Sequence, residues 1–155
     1  MQINTYELIL DTETKHSSLQ LKEALLYPGD AMYTPLAIFT MMVELFHLER
    51  MADEYIYLIA FNNKMKVLGL FQVSHGIGNA SLIDPRGIFM RAVYIGASNL
   101  ILVHNHPSGI TTPSKEDISV HKRLKEAGEL MGIPIVDHVI IGSDGYLSFK
   151  EQEIL

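Results

Sequence analysis

LVHNHPSGITTPSKED, Leu102–Asp117, ends an apolar run in two histidines one residue apart, turns sharply, and opens what reads as a helix. Side chains two apart on a strand project to the same side, so His104 and His106 can present two imidazoles to one point while Asn105 is directed away. Pro107-Ser108-Gly109 is strong turn chemistry. Ser114 then stands as the N-cap of a helix that carries Asp117 in its first turn. The return is short enough for a carboxylate from that turn to face the histidines. Two neutral imidazoles and one carboxylate are a three-ligand set suited to zinc, with a fourth position left for water. The same residues admit a plainer account. Ser114-Lys115-Glu116-Asp117 resembles a capping box, in which Asp117 turns back to its own helix end and binds nothing.

Composition narrows the chemistry. The chain has 155 residues and no cysteine, so any metal site must be built from His and carboxylate ligands. Its formal net charge of -6 offers no attraction to polyphosphate, and no local basic patch compensates. HNH nucleases are named for dispersed residues and not for adjacent letters, so the string His104-Asn105-His106 does not indicate one. No run is long and apolar enough to span a bilayer, and the start, MQINTYELILDTETK, lacks the basic and apolar parts of a signal peptide. A cytoplasmic protein with no membrane or strong nucleic-acid signal is expected.

Outward from the opening stretch, the elements fall in an alternating order. Tyr6–Asp11 reads as a strand, and Leu19–Leu26 has helical spacing stopped by Tyr27-Pro28-Gly29-Asp30. Thr34-Pro35 opens a helix through Met51, with Thr34 as N-cap, and Met41 and Met42 read as core filler. Residues 1–50 thus read as a short, mainly helical N-terminal extension, followed by one domain over 51–155. In that domain Tyr55–Phe61 is β-rich, and Asn62-Asn63-Lys64 turns the chain into Met65–Val73. Ser74–Asn79 reads as a loop whose Gly76-x-Gly78 lacks the strand and helix context of a phosphate site. Asp84-Pro85 begins a helix. Asn99–Val103 is continuously apolar, as in a central strand covered on both faces. A helix over Ser114–Met131, a strand over Ile135–Ile141, the turn Gly142–Gly145 and a strand from Tyr146 to Phe149 complete the chain. The order predicts an α/β three-layer sandwich with one mixed β-sheet flanked by helices.

A catalytic zinc site also needs a base, because zinc lowers the pKa of a bound water to about 7 and a nearby Glu can then take its proton. Glu54 is the candidate, and Ser114 is placed to donate a hydrogen bond to a developing oxyanion. Asp137-His138 reads as a pair on a strand, either supporting the ligands or bonded to neighbouring backbone. His121, one turn beyond Asp117, is a possible substitute ligand but is expected on exposed helix surface. His16, His47 and His75 show no constellation.

Together, His104-x-His106-Pro107 and the downstream Ser114-x-x-Asp117 resemble the JAMM signature of JAB/MPN metalloproteins. HNHPSG, PSKED, Arg123-Leu124-Lys125-Glu126-Ala127-Gly128 and GIPIVDHVIIG (Gly132–Gly142) further resemble the bacterial RadC branch. The similarity covers roughly residues 50 to 155. It implies a JAB/MPN, cytidine-deaminase-like fold, Zn2+ held by His104, His106 and Asp117, Glu54 as general base and Ser114 as oxyanion partner. The implied activity is hydrolysis of peptide or isopeptide-like amides, with a peptide or protein as partner. The alternatives are a non-catalytic JAB/MPN binding module and a DNA-repair accessory protein, as the branch's name suggests. Two departures stand out. Residues 1–50 lack the glycine-punctuated hairpin of a helix-hairpin-helix region, and Pro85-Arg86-Gly87 replaces the usual Pro-Arg-Glu, losing a carboxylate.

Overall fold

A computed structural model of the chain describes residues 1–29, 33–76 and 83–154. One seven-stranded mixed sheet runs through all of it. The elements are β1 (Gln2–Leu10), β2 (Ser17–Leu26), α1 (Pro35–Phe46), a single 3-10 turn (Leu48–Arg50), β3 (Glu54–Phe61) and β4 (Val67–Gly76). They continue with α2 (Pro85–Ile95), β5 (Asn99–Asn105), α3 (Lys115–Met131), β6 (Ile135–Ile141) and β7 (Tyr146–Ser148). The strand order is β2-β1-β4-β3-β5-β6-β7, parallel where β1 meets β4 and where β5 meets β6, and antiparallel elsewhere.

Helix starts follow the local chemistry. Thr34 accepts from the Ala37 amide and Asp84 from the Arg86 amide, each with a proline opening the helix behind it. Side-chain alternation along the central strands then divides the core in two. Tyr57, Ile59 and Phe61 of β3 and Ile101 and Val103 of β5 pack with Ile38, Met41 and Met42 of α1 on one face. Ile56, Leu58 and Ala60, with Leu100 and Leu102, pack against α2 and α3 on the other. The three-layer sandwich expected from the element order is what forms, and β5 is buried because it lies inside the sheet, between β3 and β6, with helices over both faces.

One element differs. Leu19–Leu26 is not a helix but most of β2, and β1 begins four residues before the strand read at Tyr6. LQLKEALL is rich in good helix formers, yet intrinsic propensity is a weak prior beside tertiary pairing. The pairing runs from Gln2↔Leu26 to Leu10↔Ser17 and is joined by a turn at Asp11, whose carboxylate accepts from the amides of Glu13 and Thr14. As an outermost strand with mostly exposed side chains, β2 carries no alternation to betray it. The N-terminal segment is therefore a β-hairpin followed by α1, and not mainly helical. The loop read at Ser74–Asn79 is strand as far as Gly76; its remainder, with Gly78, lies outside the described residues.

Candidate metal centre

The sheet places the site at the end of β5, on the face covered by α3. His104 follows Leu100 and Leu102 on that face and is 1% exposed. Beyond it β5 stays paired with β6, and the His106 amide continues the ladder by donating to the Ile141 carbonyl at 2.9 Å. The chain then turns. Gly109 takes a φ of +81°, its amide donates to the His106 carbonyl, and its own carbonyl accepts from Ser143 in the turn before β7. A Cβ on Gly142 would collide with that same carbonyl, so close backbone contact braces the turn.

Asp117 arrives from above. Ser114 caps α3 by accepting from the Asp117 amide at 3.0 Å, and the Ser114 amide donates back to Asp117 Oδ2 at 2.7 Å. The box forms in full, and the carboxylate still faces inward. Asp117 Oδ1 lies 3.3 Å from His104 Nε2, and Oδ2 lies 3.3 Å from His106 Nε2. The two Nε2 atoms are 2.9 Å apart. The two accounts of Asp117 are thus compatible. Cap and convergence use one side chain.

The ring nitrogens show which face of each imidazole is free. His106 Nδ1 is 2.7 Å from the Ile110 carbonyl, an acceptor only, so Nδ1 carries the proton and Nε2 keeps a lone pair. His104 Nδ1 is 2.8 Å from His138 Nε2, so an Nδ1–H on His104 has an acceptor there. Two lone pairs and a carboxylate then aim at one point. Their ligand atoms all lie within 4.8 Å of one another, the only such group among the described residues. Ligand-metal bonds of about 2 Å in a tetrahedron set ligand atoms about 3.3 Å apart, so these residues fit a zinc-sized cation.

The carboxylate and the imidazoles shift one another. Burial alone would raise the Asp117 carboxyl, but without a metal a proton on the facing Nε2 atoms of His104 and His106 bonds its oxygens and holds it well below the usual carboxylate range. Protons and a cation thus compete for the same nitrogens. The Asp117 carboxylate in turn raises His106, against the opposing effect of burial. His138 is fully buried, and that burial, with His104 beside it, keeps its imidazole neutral.

Glu54 opens β3. Ile56 pairs with His104 in the antiparallel register, so Glu54, two residues earlier, stands on the same face and in line with His106. Its half-buried carboxyl is raised by burial and by Asp117, and lowered by the nearby imidazoles of His104 and His106. Ser114 is exposed; its Oγ accepts from Asp117 and retains its own proton to donate.

Other residues sort more simply. His121 is buried, not exposed as expected. It stacks on His138 with ring centroids 5.7 Å apart and lies tilted against Phe149 at 4.8 Å, outside the ligand group. Asp137 is a local cap: it accepts from the amides of His138 and Lys150 and from the Ser148 hydroxyl. His138 supports His104, whereas Asp137 supports the turn after β7. His75, which showed no constellation in sequence, lies 2.9 Å from an Asp53 oxygen and stacks on Tyr55. The pairing of β3 with β4 brings these together, and no local signal announces it.

A mixed sheet with His104, His106 and Asp117 gathered at the end of an inner strand defines a JAB-type fold with a candidate metal centre. The sequence profile of the RadC-like JAB domain matches residues 32–154, and the chain belongs to that family. The match begins upstream of the similarity seen in the motifs and takes in α1. The chain is similar to a UPF0758 protein of Pelobacter propionicus, 49% identical over 102 residues, covering 66% of this chain and 44% of that protein. A UPF0758 protein of Thermotoga maritima is 46% identical over 109 residues, 70% of this chain and 48% of its own length. One from Clostridium tetani is 48% identical over 103 residues, with 66% and 45% covered. The match therefore spans a little under half the length of these relatives. Among the described residues, no helix is long and apolar enough to cross a membrane.

Proposed function

We propose that the chain is a zinc-dependent hydrolase of the JAMM type, cleaving a peptide or isopeptide-like amide, with His104, His106 and Asp117 as metal ligands. The observation that carries this is the convergence of two imidazole Nε2 atoms and both Asp117 oxygens, with the outer nitrogens already engaged by Ile110 and His138. When bound, zinc supplies Lewis acidity and lowers the pKa of a water at the site. Glu54, on the face of Ile56 and His104, takes a proton from the attacking water and returns it to the departing amine. Ser114 Oγ–H donates to the carbonyl oxygen as negative charge develops there. The partner is a peptide or protein, and the setting is cytoplasmic, which a cysteine-free chain suits.

Incubating the zinc-loaded protein with a panel of peptides and isopeptide-linked conjugates tests it. The native chain is expected to cleave at least one class. Glu54→Gln should keep the metal and lose about a hundredfold or more in rate, the usual contribution of a general base. Turnover undiminished in that variant would remove Glu54 from the chemistry, and no cleavage anywhere in the panel would favour a binding module.

A further inference from the structure

We infer that Asn105 is the positioning residue for Glu54: its carboxamide bonds the chain on both sides of that acid, where the β3–β5 backbone ladder has ended. The backbone pairing runs from Phe61↔Asn99 to Ile56↔His104 and goes no further, although β5 stays paired with β6 through Asn105↔Ile141. At the next step the side chain takes over. Asn105 Oδ1 accepts from the Tyr55 amide at 2.7 Å, and Nδ2 donates to the Asp53 carbonyl at 3.0 Å. A primary carboxamide offers the same acceptor and donor as a peptide group, so it serves as one more rung. The side chain is 1% exposed, which leaves these bonds little competition from water.

The two bonds bracket Glu54. On its other side β3 is held by β4, through Glu54↔Gly76 and Tyr55↔His75, so what Asn105 adds is a tie on the β5 side. The carbonyl before Glu54 and the amide after it are both bonded there, which sets the strand start against the strand that carries the histidines. Side-chain alternation then sends the carboxylate to the face of Ile56 and His104. A rung made from a side chain is also wider than one made from backbone. Glu54 and His106 therefore stand opposite each other beyond the last backbone rung, joined across the strands by the Asn105 side chain. His-x-His on a strand necessarily places a residue between the ligands that points elsewhere, and here that residue aligns the base. Asn105 touches neither metal nor substrate in this scheme. The inference rests on the proposed function only for the role it gives Glu54.

Cobalt in place of zinc allows the position of Glu54 to be read without any substrate. In protein carrying 13C-labelled glutamate, the Glu54 carboxyl resonance, assigned by its loss in Glu54→Gln, should show a large cobalt-induced shift, while that of Glu129 does not. In Asn105→Ala the cobalt stoichiometry should hold while Glu54 loses most of that shift. The Tyr55 amide should exchange with solvent about tenfold faster, as expected for one lost hydrogen bond. Asn105→Asp is the near-isosteric second variant. It keeps an acceptor for Tyr55 but sets an oxygen against the Asp53 carbonyl, so Tyr55 should stay protected and the Glu54 shift should fall partway. An unchanged Glu54 shift in either folded variant overturns the inference. Should the native chain bind no cobalt, the metal reading fails, and Tyr55 exchange in Asn105→Ala decides the clamp, with unchanged exchange overturning it.

Discussion

Ser114 and Asp117 hold each other at the start of α3: the Asp117 amide donates to Ser114 Oγ at 3.0 Å, and the Ser114 amide donates to Asp117 Oδ2 at 2.7 Å. That reciprocal cap fixes a carboxylate whose two oxygens each lie 3.3 Å from a histidine Nε2. Stability and metal binding therefore share one side chain, and substitutions can separate them. Asp117→Asn retains an acceptor for the Ser114 amide but loses the charge. It should stay folded and lose the metal, measured as zinc content after dialysis against thermal melting.

Ser114→Ala removes the acceptor for the Asp117 amide. A lost N-cap costs about 1 kcal/mol, so chemical denaturation should show that loss with zinc still bound. Retention of zinc with full stability would show that the cap contributes nothing here.

His138 touches the ligand set through His104. His138→Phe keeps an aromatic ring beside Phe149, whose centroid lies 4.5 Å away, and removes the nitrogen that bonds His104 Nδ1. Losing such an outer partner typically weakens metal binding about 10–100-fold, which competition with a chelator would read. An unchanged affinity would mean that His104 is oriented without it.

The pH dependence has a definite sign. His106 is raised by Asp117, so its stabilisation of the metal-free chain is complete below the unfolded value of about 6.5 and fades as pH climbs through the raised folded value. His138 is depressed by burial, so the unfolded chain gains a proton that the folded one refuses, and stability falls below about pH 6.5. The metal-free protein should therefore melt highest near that pH. Zinc competes with protons for the imidazoles, so the optimum of the loaded protein should lie higher. A single optimum for both forms would contradict the ligand assignment.

The legible parts of this molecule were local ones. His104, His106, Ser114 and Asp117 fall within one strand, turn and helix start, where strand alternation and capping rules act on neighbouring residues. Asn105 and Tyr55 are fifty residues apart, and only the β3–β5 register shows that the start of β3 reaches the site. The β1–β2 hairpin was missed because exposed edge positions and helix-forming residues hide the pairing. His121 is buried for a different reason. Asp117, Val120, His121, Leu124 and Gly128 form one buried stripe on α3, so sharing a face with Asp117 entailed burial.

Native mass spectrometry of the purified chain with added zinc tests the centre most directly, run beside His106→Ala and Asp117→Asn. About one zinc per native chain and none in either variant is expected of a three-ligand site. Less than about a tenth of an equivalent in the native chain, or zinc retained equally in both variants, would contradict a metal held by His104, His106 and Asp117.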